Sequence, residues 1–305
     1  MGQVHLGALR QSEDIELAGV VEPMSRTRAE LRVQGIPAYA TVDDLLERDP
    51  PEGVLIAAPS DQHPALVATF AAAGIPMLCE KPLGIRAEQS LEAARSAAEA
   101  GVLLQVGYWR RFVPELRALR KRIRGGEFGE ISQLSCMQWD EQPPSEQFRA
   151  HSGGIAVDMG VHEFDQTRWL LGQEFEWIAA ARAGRDPDPR TPADPDCATF
   201  LGQLSGGASA TISLGRRFPH ADSCWLEVWG TKGYERSTFM WDTGGDDVFR
   251  QSIKRQAEAF ARAIQGGERE GADGADAFAA LSAAELAAAA LAAGSQARAR
   301  VAVQG

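Results

Sequence analysis

At 305 residues, with 44% hydrophobic and 24% charged side chains, the chain is long enough for two ordinary domains and has the composition of a soluble globular protein. Its 31 Lys and Arg against 42 Asp and Glu leave a formal net charge of -11. That balance argues against nucleic acid or an acidic membrane as partner, since both would be repelled. Cys79, Cys136, Cys197 and Cys224 are scattered without metal-type spacing, which reads as reduced packing residues of a cytoplasmic protein without a metal centre. No apolar run reaches the ~20 residues of a membrane span. Residues 1–10 lack the basic and apolar regions of a secretion signal.

In chain order, residues 2–10 read as a helix, 15–21 as a β-rich run ending at Glu22, 25–33 as a helix and 38–40 as a short extended piece. A small helix at 43–48 has Thr41 as its cap. Strands follow at 54–58, 76–79 and 103–106, separated by helices at 63–73 and 87–100. This rhythm predicts a Rossmann-type, doubly wound parallel sheet with helices on both faces, over residues 1–106. After Gly107 the pattern changes. A basic amphipathic helix at 114–123 precedes an extended run at 131–139, and a Gly153-Gly154 pair opens a long helix to about residue 171. Extended runs at 176–183, 197–204, 208–214 and 224–229, helices at 247–264 and 275–293, and a short strand at 301–303 complete the chain. Residues 107–305 thus read as a second, α+β domain.

A nucleotide-binding domain of this class starts with a strand and G-x-G-x-x-G before its first helix. Here Gly2, Gln3 and Val4 look like the third glycine and the first helical turn, and Glu22 stands 20 residues further on, where an acid binds the ribose hydroxyls. The expectation is therefore a domain whose first strand is missing, about a dozen residues of strand and glycine turn belonging upstream of Met1. An in-frame stop directly before the Met1 codon would overturn it.

Three turns carry candidate chemistry. Ala58, Pro59, Ser60 and His63 follow a buried strand, where they either line the nicotinamide side of a cleft or simply cap a helix. Glu80-Lys81-Pro82 ends another strand; a positioned ammonium polarises a hydroxyl or carbonyl, with Glu80 setting its charge and orientation, although a lysine there can also be plainly solvated. In the helix after Gly154, Asp158, His162 and Asp165 are spaced to share one face. Imidazole is the natural proton acceptor near neutral pH and a carboxylate can orient it; a water-exposed polar face is the plainer alternative.

Together with Tyr108-Trp109-Arg110-Arg111-Phe112, these motifs make the chain resemble the glucose–fructose oxidoreductase / inositol dehydrogenase / MocA family over nearly its whole length, inositol and sugar dehydrogenases most of all. The resemblance implies a second domain built on a large open antiparallel sheet, used for homodimer or homotetramer contacts, and hydride transfer to NAD from a secondary alcohol of a cyclitol, sugar or polyol. It implies Lys81 and His162 as acid/base pair, Asp158 orienting, and Asp165 near the substrate or holding His162. Gln138-Trp139-Asp140 falls at a substrate-facing position, Trp139 included. Glu22 favours NAD by repelling a 2′-phosphate, while Arg26 leaves NADP open. Two rivals remain: a lyase or glycosidase-like enzyme that oxidises its substrate transiently, and a sugar-binding relic without cofactor.

Overall fold

The computed structural model describes residues 1–149, 152–183, 194–241, 244–294 and 299–300. Its first third is α1 (Gly2–Arg10), β1 (Val20–Val21), α2 (Ser25–Val33), β2 (Ala38–Tyr39), α3 (Val42–Arg48), β3 (Val54–Ile56), α4 (His63–Ala72), β4 (Met77–Cys79), α5 (Ala87–Glu99) and β5 (Leu104–Val106). Every strand pairing in this region is parallel, as expected of a Rossmann-type domain, and the pairings form two sets, β1–β2 and β3–β4–β5. The β-rich run at 15–21 yields only a two-residue strand, whose partner β2 is equally short. Thr41 caps α3 by accepting from the Asp44 amide at 3.1 Å. Helix α1 joins the two strand sets. Its Ala8 lies in the core around Val54 and Met77, and Leu6 packs on Leu31, Ile36 and Ala38.

The remainder comprises a 3-10 turn (Trp109–Phe112), α6 (Pro114–Arg124), β6 (Ile131–Trp139), α7 (Glu146–Arg149), α8 (Ile155–Asp158), α9 (Gly160–Leu171), β7 (Phe175–Ala183), β8 (Cys197–Leu204), β9 (Ser209–Gly215), β10 (Ser223–Gly230), β11 (Tyr234–Met240), α10 (Gly245–Ile264), α11 (Gly274–Ala292) and β12 (Ala299–Arg300). The sheet order is β11-β10-β6-β9-β8-β7-β12. The expected antiparallel sheet is in fact mixed, because β6 and β9 run parallel while the other neighbours are antiparallel. Strand β6 leaves the sheet through the helical segment α7–α9 and the chain returns two hairpin strands away, which places β9 beside β6 with the same direction. The strand expected at 301–303 lies outside the described residues.

One face of this sheet is packed by α9 and α11, with Phe164 of α9 edge-on to Phe175 and Phe200 at 5.4 and 5.9 Å. Helix α11 is apolar and long enough to cross a membrane by length and composition, yet Ala280, Leu281, Ala284 and Ala287 are buried against α5, α9 and β7. Helices α10 and α11 therefore reach across the 106/107 boundary. Ala257 and Phe260 of α10 pack on Leu78 of β4, and the Val106 amide donates to Ala272 at 2.8 Å.

Candidate active site

Strands β3, β4 and β5 are parallel, so the segments that follow them emerge along one carboxyl edge, where open α/β sheets bind ligands. All three residues of β4 are buried, which fixes the position of Glu80 and Lys81 directly after it. The Lys81 amide donates to Glu80 Oε2 at 3.1 Å, and its Nζ donates to the Asp158 carbonyl at 2.8 Å. The Lys81–Pro82 peptide is cis. Glu80 is buried and receives a 2.6 Å hydrogen bond from His5 Nε2 of α1, so its carboxylate is not left unpaired in the interior. Gly107 packs flat on it: a Cβ there would lie 3.0 Å from Glu80 Cα. The His5–Glu80 link was not legible in the sequence, where 75 residues separate the two.

The helix expected after Gly153-Gly154 is interrupted at Met159, leaving α8 and α9. Both glycines have φ of 79°, a left-handed turn that starts α8 abruptly. The three polar residues then part company. The Asp158 carboxylate turns to Arg216 Nη1 at 3.1 Å, while its carbonyl holds Lys81. Among the described residues no hydrogen bond joins Asp158 to His162, and the Asp158 carbonyl accepts from Lys81. Asp165 is 1% exposed and gripped by Arg111 at 2.6 and 3.0 Å. A buried guanidinium needs a carboxylate, and Asp165 supplies it; among the described residues it makes no hydrogen bond to His162.

His162 is buried between Tyr108 and Trp109, each edge-on at 6.2 Å, and its Nδ1 has no hydrogen-bond partner. Burial, and then the charges of Lys81 and Arg110, hold its pKa well below the ordinary imidazole value, so it is neutral and able to accept a proton. Arg110 lies beneath it, ion-paired to Glu163 at 2.5 Å and donating to Gln138 at 2.8 Å and Cys224 Sγ at 3.3 Å. Gln138 passes the network to Asp140 at 3.2 Å. Burial pushes the Asp140 carboxyl up to about 6, aided by Asp222 and Asp158 and opposed by the Gln138 hydrogen bond and Arg216.

Trp139, expected to face substrate, lies on the opposite face of β6. Alternation along the strand sends Gln138 toward Arg110 and sends Trp139 against Gly215 and Phe218, the latter at 6.0 Å. Arg216 and Asp194, which complete the surroundings of Asp158, were not found by local spacing. Their only sequence signal is the Arg216-Arg217 pair at the end of an apolar strand.

For the cofactor, Gly2 and Gln3 form the first turn of α1, and a helix N-terminus offers unpaired backbone amides to an anion such as a pyrophosphate. Val4 packs inward on the core. Glu22 ends β1 and spends Oε1 on the Met24 amide at 2.8 Å, and Arg26 is paired with Glu30 at 3.0 Å. Ala58, Pro59 and Ser60 form the turn after β3 at the same edge as Lys81. His63 is buried, with Nδ1 2.8 Å from the Pro82 carbonyl and Nε2 2.9 Å from that of Ala58. It ties the two turns together instead of lining a cleft. A helix N-terminus, an acid just after the strand that follows it and a shared strand edge fit a nicotinamide dinucleotide. Among the described residues no cluster of three or more His, Cys, Asp or Glu could hold a metal ion.

Comparison with known proteins agrees with this geometry. Residues 1–108 match the oxidoreductase family with an NAD-binding Rossmann fold, and residues 116–235 match the GFO/IDH/MocA C-terminal domain. The chain is 47% identical to the rhizopine catabolism protein MocA of Rhizobium meliloti, over 93% of this chain and 90% of that one. It is 29% identical to an inositol 2-dehydrogenase of Rhizobium meliloti (strain 1021), over 93% and 92%. The crystal structure of scyllo-inositol dehydrogenase from Lactobacillus casei, with NAD(H) and scyllo-inositol bound, superposes with a TM-score of 0.88 over 99% of this chain and 96% of that one, at 21% identity. The chain belongs to the GFO/IDH/MocA family of NAD-binding oxidoreductases.

Proposed function

We propose that this NAD-dependent oxidoreductase acts on a secondary hydroxyl of a cyclitol of the inositol type or a closely related sugar or polyol, with Lys81 and His162 as its polar pair. The observation that carries the reading is the approach of two halves of the chain: Lys81 Nζ, from the Rossmann-type domain, is anchored on the carbonyl of Asp158, one turn before the buried, neutral His162. An ammonium has three donors, so one bond to Asp158 leaves two for a substrate oxygen. Lys81 holds that oxygen and stabilises negative charge as it develops. His162 accepts the hydroxyl proton through Nε2, which has no hydrogen-bond partner among the described residues and, unlike Nδ1, is not sealed in the interior. NAD, when bound, supplies the hydride acceptor. Gly2, Gln3 and Glu22 hold its pyrophosphate and ribose, and the Ala58–Ser60 turn its nicotinamide end. The Glu22 carboxylate would repel a 2′-phosphate, which supports NAD over NADP.

Substrate binding falls to residues 107–305 together with Lys81, and Asp140 and Gln138 take the role first expected of Trp139. Four free cysteines support a cytoplasmic setting. The sheet face bearing Trp139, Phe218, Trp225 and Trp241 supports assembly into a homodimer or homotetramer. Light scattering checks the assembly, and a monomer would overturn that part alone. Lys81→Ala and His162→Ala test the chemistry. Each lowers turnover of an inositol substrate, followed by NADH absorbance, by roughly 10²-fold or more while NAD still binds. Undiminished turnover in both variants would overturn the assignment.

A further inference from the structure

Helix α6, the basic helix at the start of the second domain, has no part in the chemistry above. Its Arg117, Arg120, Lys121 and Arg124 stand at i, i+3, i+4 and i+7, so all four project from one face. That face borders a cavity of about 490 Å3, within the range of small-ligand sites. In a chain of net charge -11 this concentration of cations needs an explanation.

Their charges are only partly answered from within. Arg117 pairs with Glu270 at 2.5 Å, and Glu270 is already shared with Arg262. Arg111, on the cavity floor, is committed to Asp165 and Asp276. Arg120 stacks on Trp169 at 4.7 Å and donates to the Trp169 carbonyl at 2.9 Å. Among the described residues, Arg120, Lys121 and Arg124 have no carboxylate in ion-pair range. Burial, and then the like charges of Arg124 and Arg111, lower the Arg120 pKa to about 10. A guanidinium destabilised by its neighbours is what a site prepared for an anion presents before the anion arrives.

We propose that this cavity is a binding site for a phosphoryl group carried by a small molecule, held by Arg120, Lys121 and Arg124 with Trp169 as its apolar wall. Three unanswered cations call for more than one negative charge. A phosphoryl group brings about -1.5 to -2 and three acceptor oxygens, whereas a carboxylate brings a single charge. Guanidinium groups grip phosphate through paired hydrogen bonds, and the rigid stack on Trp169 holds Arg120 in place for that purpose.

Isothermal titration with inorganic phosphate and with pyrophosphate, against chloride at equal ionic strength, tests the site in the intact protein. The double variant Lys121→Gln/Arg124→Gln changes two exposed side chains that have no ion pair among the described residues, so it folds normally. Saturable binding of phosphate or pyrophosphate, weakened roughly tenfold or more in the double variant, is the expected result. A second readout separates ligand binding from a structural role: relief of like-charge repulsion leaves the ligand-free double variant with a Tm no lower than that of the parent. Binding that is equal in the variant, a response matched by chloride, or tighter binding of citrate than of pyrophosphate would overturn the proposal.

Discussion

His162 is buried and Asp140 half-buried; burial is the first cause of both shifts and favours the neutral form of each. Their effects on stability run in opposite directions with pH. The His162 imidazole has a folded pKa well below its ordinary 6.5, so its contribution is complete above that value and is lost as pH falls, when the unfolded chain takes up a proton that the folded one refuses. Asp140 has a folded pKa near 6 against an ordinary 3.8, so its ionised form opposes folding fully above pH 6, and the penalty is gone below 3.8. Asp140→Asn is therefore expected to stabilise the protein by on the order of 1–3 kcal/mol at pH 7–8 and to have little effect near pH 3.5. Urea titrations at the two pH values check this, and an equal effect at both would refute it. If Asp140 binds substrate as proposed, the same variant raises KM while it stabilises the fold. Local spacing made Asp158 and His162 visible in the sequence, because a helical repeat of four residues is a short-range property. Arg216, 58 residues from the Asp158 it holds, is brought there by the sheet and has no local signature.

Elements with a strong periodic signal were legible. Strands β6 and β8 fall where apolar alternation places them, residues 131–139 and 197–204. Strand β11 was missed because it lies at the sheet edge, where only Ser237 and Phe239 are buried and, Met240 apart, the other positions are polar or exposed. The parallel β6–β9 pairing was also invisible, since strand direction depends on how the helical segment returns the chain. The same segment explains Asp165. Through Arg111 it ties α9 to Asp276, which is at once the third residue of α11 and part of that helix's capping box with Asp273. Asp165→Asn leaves a buried guanidinium with only the partly exposed Asp276, and removing one partner of a buried pair typically costs about 3–5 kcal/mol. The expected outcome is a large loss of stability with kcat/KM per folded molecule nearly unchanged. A kcat/KM loss as large as that of His162→Ala, with stability intact, would return Asp165 to the substrate.

Helix α11 makes one unit of the whole molecule, because α5 of the Rossmann-type half and α9 and β7 of the other pack on the same apolar cylinder. Its alanines permit this: with Ala277, Ala280, Ala284 and Ala287 buried, neighbouring backbones approach closely from several sides. The closest approach is at its start, where a Cβ on Gly274 would lie 2.4 Å from the Ala94 Cβ of α5 and 3.1 Å from its Cα. Neither atom can swing aside, so Gly274→Ala forces the two helices apart. Overpacking of this kind costs roughly 1–3 kcal/mol. If the two halves were independent, strain at their contact would loosen the contact and the two transitions would no longer coincide. All seven tryptophans, from Trp109 to Trp241, lie after residue 106, so their fluorescence reports the second half alone, whereas far-UV circular dichroism reports both. Shared packing on α11 predicts that Gly274→Ala lowers both transitions together, by the same denaturant interval, with the two curves still coincident. A fluorescence midpoint left at the parent value while the dichroism midpoint falls would show that the halves unfold separately. Lys81 and His162 would then meet only when two separately folded halves dock, through α10, α11 and the 2.8 Å bond between Lys81 and Asp158.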